Sequence, residues 1–394
     1  MTRTGGKISR RWVLLAGAAL LGTVGVAAAI ASLPRAPVVS PIAAPDSPAG
    51  PLAHQIESLT FASPTIAWAV VPTFPYWRLV RTIDAGRTWR DVTPLGAGTN
   101  GGIEATILSP TTSILAYRAY EYNRDSAFAL TVNGGADWTT GILPNAVGQG
   151  PDPMAFIPPR SVWAVLGSGL LAVSSDFGAT WSSLTLPTPP TGSCQPTSVR
   201  FINAEVGWIS GTCQGSVALW QTTTGGLSWS VVVLEKSVPG LQRELVSLPQ
   251  GSSAANNFTT VVSVERHQDQ VVEFRLQDGS WSATTPESVP GGQLLVYFAN
   301  PSAGWILDAA SGKGALALLY QTADGGADWA LRATPIPAGS LTALDVLGGE
   351  VGAALAQQGR AARLWTTQDG GLKWSSSSLQ IASGPPPRSN GVAG

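Results

Sequence analysis

Three features of the sequence predict an all-β fold: a seven-bladed β-propeller of four-stranded antiparallel blades, preceded by an N-terminal signal or anchor helix. The pattern Ser/Thr-x-Asp-x-Gly-x-x-Trp returns seven times, with tryptophans spaced 49, 43, 48, 52, 48 and 45 residues apart. Each repeat also holds four short apolar runs divided by Gly, Pro, Asn or Asp, and no helical periodicity joins them. Composition agrees, with 45 Gly, 30 Pro and 15 Trp in 394 residues and only 12% charge. An average soluble chain carries about 25%, and sheets stacked on sheets leave little room for charge. Length alone suggests two or three domains at roughly 150 residues each. Closing seven sheets into a ring protects their edges, so residues 52–384 read as one domain.

The repeats are Thr82-Asp84-Gly86-Trp89, Thr131-Asn133-Gly135-Trp138, Ser174-Asp176-Gly178-Trp181 and Thr222-Thr224-Gly226-Trp229. They continue as a shortened Asp278-Gly279-Ser280-Trp281, then Thr322-Asp324-Gly326-Trp329 and Thr367-Asp369-Gly371-Trp374. The chemistry is that of a tight turn. An Asp, Asn or Thr oxygen is expected to accept from backbone amides one or two residues on, closing an Asx-type turn. The glycine supplies a left-handed backbone, and the tryptophan opens the next strand with a large apolar body. One acid per box falls short of a calcium loop, which needs acids at alternate positions and a distal Glu. No metal or cofactor is expected.

About 21 residues before each box Trp lies another apolar strand, as in Ala67-Trp68-Ala69, Val162-Trp163-Ala164, Gly207-Trp208-Ile209 and Gly304-Trp305-Ile306. A first strand precedes it (199–202, 295–298), a third runs into the box (218–220, 318–320), and a fourth follows it (230–233). This unit resembles the Asp-box (BNR) propellers, and in particular their photosystem II assembly-factor-like branch, whose repeats read apolar strand, Gly-Trp, hairpin, Thr-x-Asp-Gly-Gly-x-x-Trp. Phe201 to Trp229 and Tyr297 to Trp329 carry the likeness. The resemblance implies the fold, with the box on the rim away from the binding face. Function is not implied, because sialidases, sortilin-type receptors and some glucanases share box and fold.

The first residues read as an address. Arg3, Lys7, Arg10 and Arg11 precede Trp12 to Leu33, 22 residues without charge, an arrangement that keeps the N-terminus inside and exports the rest. Ser9-Arg10-Arg11-Trp12-Val13-Leu14-Leu15 also resembles a twin-arginine signal. Ala29-Ile30-Ala31 offers cleavage before Ser32, whereas the length of the run suits an uncleaved membrane span; both readings stay open for residues 1–33. Residues 34–51, with six prolines, form a linker, and 385–394 a disordered tail. Arg35 is the fifth of 23 basic residues; the remaining 18 face 24 acids, for a net charge of −6. Such a body is a poor nucleic-acid binder.

With the box joining strands three and four, the loops between strands two and three and between blades share the opposite face. Two adjacent blades stand out there, through Phe74, Tyr76, Trp77 and Arg78 in the first and Tyr117, Arg118, Tyr120, Glu121, Tyr122 and Arg124 in the second. Clustered Tyr, Trp and Arg anchor recognition surfaces, though two hairpins whose aromatics pack on each other would use the same residues. The expected function is a non-catalytic scaffold at the cell envelope that binds a protein or glycan. The alternative is a glycoside hydrolase of sialidase or glucanase type. That activity needs two placed carboxylates, and Glu121, Asp125, Glu265 and Asp269 beside Arg118, Arg124 and Arg266 show no spacing that specifies a pair. His54 and His267, the only histidines, read as surface residues. Cys194 and Cys213 flank a hairpin turning at 203–205; antiparallel partners there sum to about 407 or 408, which brings the two together. In an exported chain they are expected to form a disulfide.

Overall fold

The computed structural model describes residues 56–73, 76–97, 102–118, 126–143, 153–166, 169–189, 193–201, 203–213, 216–232, 243–247, 257–264, 268–277, 280–283, 287–290, 292–299, 302–310, 315–338, 341–347, 349–358, 361–379 and 381–382, with backbone alone from 233 to 294. These residues form seven sheets in chain order. Blade 1 holds β1 (Ser58–Phe61), β2 (Ala67–Thr73), β3 (Tyr76–Thr82) and β4 (Trp89–Asp91). Blade 2 holds β5 (Ile103–Ile107), β6 (Ser113–Arg118), β7 (Ser126–Thr131) and β8 (Thr139–Ile142). Blade 3 is β9 (Met154–Ile157), β10 (Ser161–Val165), β11 (Leu171–Ser174) and β12 (Ser182–Leu184). Blade 4 is β13 (Gln195–Phe201), β14 (Gly207–Cys213), β15 (Ser216–Thr222) and β16 (Ser230–Val232). Blade 5 adds a fifth strand to β17 (Arg243–Ser247), β18 (Asn257–Val264), β19 (Gln268–Gln277) and β20 (Ser280–Ala283): β21 (Glu287–Pro290) pairs with β19. Blade 6 is β22 (Gly292–Phe298), β23 (Gly304–Ala310), β24 (Leu316–Thr322) and β25 (Ala330–Pro337). Blade 7 is β26 (Leu341–Leu347), β27 (Val351–Gln358), β28 (Ala361–Thr367) and β29 (Ser375–Ser378). The ring is the predicted seven-bladed propeller.

Two strands exceed the expected twenty-eight. Besides β21, the last described strand is β30 (Ile381–Ala382), which lies parallel to β4 with Ile381 opposite Trp89. The last segment thus returns to the outer edge of the first blade and ties the ring shut. The apolar core follows the same logic, because each of the five larger clusters joins two neighbouring blades. Trp68, Leu79, Leu115 and Trp138 join blades 1 and 2; Ala353, Leu355, Leu364, Leu59, Trp89 and Ile381 join blades 7 and 1. A blade alone would expose both faces of its sheet, so burial stabilises the ring rather than any one sheet.

The boxes supply the joints. In the first, Thr82 Oγ1 donates to Asp84 Oδ1 (2.7 Å) and accepts from the Gly86 amide (3.0 Å), while Asp84 Oδ1 accepts from the Thr88 amide (2.9 Å). The same bonds recur at Ser174, Thr322 and Thr367, and with Asn133 and Thr224 in place of the acid. The acid's oxygen therefore accepts four residues on, not the one or two expected. The hydroxyl closes the near end of the turn, and the carboxylate reaches four residues on, because two consecutive left-handed residues swing the chain away from it. Those are Ala85 (φ 60°) and Gly86 (φ 85°) in box 1, and Gly225 (φ 65°) and Gly226 (φ 88°) in box 4. Hydrogen bonds from the Thr180 hydroxyl and amide pull the half-buried Asp176 carboxyl down to about 2. Burial alone would raise Asp84, but bonds from Thr88 and Thr82 outweigh it.

Two box tryptophans reach across blades: Trp138 Nε1 donates to the Val92 carbonyl (2.9 Å) and Trp181 Nε1 to that of Ile142 (3.1 Å), whereas Trp89 and Trp374 donate to their own box glycine carbonyls. In the six described boxes the residue before the glycine donates its amide to the turn between the first two strands, as Ala85 does to Thr65 O (2.9 Å) and Gly370 to Glu350 O (2.9 Å). Box turns and first hairpin turns therefore share one face, here the box face. The turns between second and third strands and the connections between blades occupy the other. The Gly-Trp dipeptide has its own reason. Gly207 and Gly304 lie opposite Phe201 and Phe298, whose rings occupy the space a Cβ would need. In blade 4, paired residues sum to 407 or 408, and Gln195 opposite Thr212 sets Cys194 beside Cys213 along the strands. Cys194 is disulfide-bonded, and the sequence holds one other cysteine, Cys213.

Candidate binding sites on the propeller

Of the surface expected on blades 1 and 2, Trp77, Arg78 and Tyr117 have described side chains. Tyr117 is 5% exposed and sits in the core between the two blades, with Trp77 packed partly buried against the same cluster. Arg78 pairs with the buried Asp91, which also accepts from the Thr93 amide (2.9 Å) and hydroxyl (2.6 Å). Trp77 and Arg78 line a cavity of about 210 Å³ against Pro94 and Leu95, away from the box face. Phe74, Tyr120, Glu121, Tyr122, Arg124 and the side chains of Tyr76 and Arg118 lie outside the described residues, as do Asp125, Glu265, His267 and His54. So do Asp278 and the side chains of Asp269 and Trp281.

A second site lies on the axis. A cavity of about 380 Å³ is lined from blades 1, 2, 3, 4, 6 and 7, at the box-face end of the first strands. Antiparallel register explains the convergence. Thr60, Ala155, Arg200 and Tyr297 lie opposite Trp68, Trp163, Trp208 and Trp305, and Thr106 and Asp345 lie opposite Ile114 and Ala353. These six residues hold the same place in their repeats, so the ring brings them to one level. In three blades the place is filled by Arg, Tyr and Asp, and these groups interact.

Asp345 is 3% exposed and stands behind the cavity lining. Its carboxylate accepts from the Phe61 amide of blade 1, from the Val346 amide (3.0 Å) and from the Tyr297 hydroxyl of blade 6. Burial pushes it up to about 6, against the pull of those hydrogen bonds and of Arg200. Burial likewise lowers the Arg200 guanidinium, which the charges of Tyr297 and Asp345 favour in return. Tyr297 is raised, first by burial and then by the neighbouring carboxylate. The cavity thus presents a cation and a phenol, with the compensating anion held one layer back. Arg200 is the charge inside Val199-Arg200-Phe201, a run read as an apolar strand, and that anomaly is the signal that could have marked the site.

Among the described residues no three His, Cys, Asp or Glu are grouped to hold a metal ion, and no helix is long and apolar enough to cross a membrane.

The family description "Photosynthesis system II assembly factor YCF48" matches residues 130–292. No curated protein matches by sequence. Among solved structures, YCF48 bound to D1 peptide is similar with a TM-score of 0.51 and 15% identity, over 82% of this chain and 96% of that one. YCF48 from Cyanidioschyzon merolae gives a TM-score of 0.52 and 16% identity, with the same coverage. A GH74 xyloglucanase from Xanthomonas campestris gives 0.57 and 17%, over 85% of this chain and 56% of that one. At these identities the structures speak for the fold alone. Together with six described boxes of one geometry, these likenesses show a β-propeller built on Asp-box repeats, whose residues 130–292 are similar to the YCF48 family.

Proposed function

We propose that this chain is an exported, non-catalytic propeller that binds a protein partner at the cell envelope, held at the membrane by residues 12–33 unless these are removed before Ser32. The observation that carries this reading is the axial cavity. It offers Arg200, Tyr297 and threonine hydroxyls on an apolar floor, the mixture of a binding site. A glycosidase needs two carboxylates about 5–9.5 Å apart facing its substrate. Here the one carboxylate of the cluster, Asp345, lies behind the lining with both oxygens accepting backbone amides. That YCF48 has been solved with a D1 peptide supports a polypeptide as the partner class. The acidic body and basic leader support export.

The test is chemical cross-linking of the full chain in its native envelope, followed by identification of what it carries. A discrete protein joined through residues of the axial face supports the reading. Turnover of fluorogenic glucosides or sialosides by the purified chain would replace it with the hydrolase alternative. The mass of the mature N-terminus, beginning at Met1 or at Ser32, decides between anchor and cleaved signal.

A further inference from the structure

We propose that the box-face end of the central channel is a carboxylate-binding site, in which Arg200 receives the ligand and Asp345 is the internal anion competing for it. The inference rests on the partner-binding reading and deepens it by naming the chemistry recognised.

The geometry carries it in three steps. Arg200 lines a cavity large enough for a ligand's end, within the roughly 300–1,000 Å³ range of such sites. Around it the lining divides into hydroxyls (Thr60, Thr106, Ser109) and aromatic rings (Phe61, Phe156, Phe201). A carboxylate on an apolar body matches that division, since guanidinium binds carboxylate through two parallel hydrogen bonds. Finally, the charged groups facing Arg200 are few. Among the described residues, Tyr297 on β22 and Asp345 on β26 are the groups whose charge acts on it, and Phe61 on β1 adds an uncharged amide to Asp345.

An arriving carboxylate therefore meets an arginine already balanced by Asp345. Two anions beside one cation in a buried site are unfavourable, and the pair relieves this by taking a proton on Asp345, whose carboxyl is already raised by burial. The ligand's own carboxyl, near 4 when unperturbed, stays ionised. Binding should thus take up close to one proton above pH 6, and affinity should fall by roughly twenty-fold between pH 5.5 and pH 7.5. The source of the carboxylate is either a polypeptide's C-terminus or a free small acid.

Calorimetry on the full chain separates these, using acetyl-Ala-Ala-Leu as free acid, the same peptide as its amide, and phenylacetate, each in two buffers of different ionisation enthalpy. The expected result is binding of the free acid with proton uptake, loss of binding by the amide, and at least ten-fold weaker binding by Arg200→Gln. Binding of the peptide acid alone identifies a chain end; binding of phenylacetate as well identifies a general carboxylate site; binding of phenylacetate alone identifies a free acid. Should Arg200→Gln fail to fold, Asp345→Asn decides, because it should bind with an affinity that no longer changes from pH 5.5 to 7.5. Equal binding of amide and acid, binding without proton uptake, or no binding of any probe overturns the proposal. If cross-linking still yields a discrete partner in that case, the partner-binding reading stands and the carboxylate chemistry falls.

Discussion

Replacing Gly226 by alanine tests whether the Asp box is a local turn or a joint between blades. Its φ of +88° already disfavours any residue with a Cβ, at about 1–2 kcal/mol. Space adds a second penalty: the new Cβ would stand 2.2 and 2.3 Å from two ring carbons of Trp163 in the preceding blade. That ring is 3% exposed and packed between Phe201 and Trp229, with centroids at 5.2 and 5.8 Å, so it has nowhere to swing. Forcing a methyl into such packing costs about 1–3 kcal/mol. The smaller conformational freedom of unfolded alanine returns about 0.4–1 kcal/mol, which leaves a net loss of roughly 2–4 kcal/mol. Gly96 is the control, with a similar φ of +86° but no atom within 4 Å of its would-be Cβ; Gly96→Ala should lose about 1 kcal/mol or less. Urea unfolding of both variants, compared at constant m-value, measures the difference. Trp163→Phe should make room, so the double variant should lose less than the two single losses added. If Gly226→Ala and Gly96→Ala fall within 0.5 kcal/mol (about the experimental resolution) of each other, the box glycine is not packed against the neighbouring blade and the argument fails.

Ala85 holds a left-handed conformation (φ 60°) in box 1 where boxes 2, 4, 6 and 7 have glycine; Ala85→Gly should raise the melting temperature, by about 0.5–1 kcal/mol of stability, and a fall would mean the turn does not strain it. Ile381→Ala empties a buried place in the closing strand and should cost about 2–4 kcal/mol, with faster amide exchange in β4; unchanged exchange there would remove β30 from ring closure. Reducing the Cys194 disulfide opens a loop of about 20 residues and should lower stability by roughly 3 kcal/mol, read by denaturation with and without reductant; equal curves would deny it a stabilising role. Asp345 has a folded value near 6 against an unfolded one near 3.9. Its contribution is therefore full at low pH and is lost as pH rises from about 4 through 6. Asp345→Asn should flatten that fall, and a pH profile of unfolding unchanged by the substitution would contradict it.

What the sequence reveals depends on how local the signal is. The box is visible because the hydroxyl and carboxylate bonds that close its turn each span four residues or fewer. Blade number and strand order follow from its recurrence, and the disulfide register follows from one short turn at 203–205. β30 is two residues paired parallel to a strand some 290 residues earlier, so it carries neither alternation nor turn to announce it. The axial cluster is hidden for a related reason. Arg200, Tyr297 and Asp345 sit in three blades, each inside a strand that reads as apolar, and meet only when the ring closes. Tyr117 shows the opposite case: its neighbours in sequence suggest a surface loop, yet alternation along β6 turns its ring into the core.

The division between rim and axis explains how one repeat can be held constant while a site is built within it. Box positions are fixed by stability, since hydroxyl, carboxylate, glycine and tryptophan each bond or pack on the rim or against the adjoining blade. The first-strand position opposite Trp68, Ile114, Trp163, Trp208, Trp305 and Ala353 is different, for five of its six residues line the axial cavity. There the blades carry Thr, Thr, Ala, Arg, Tyr and Asp, a range of chemistry tolerated at no other repeated place described above. A single substitution at that register changes the chemistry of the cavity lining while leaving the box bonds in place. Arg200 on the cavity wall and Asp345 behind it are therefore best understood together: the first gives the cavity its charge, and the second makes that charge tolerable when nothing is bound.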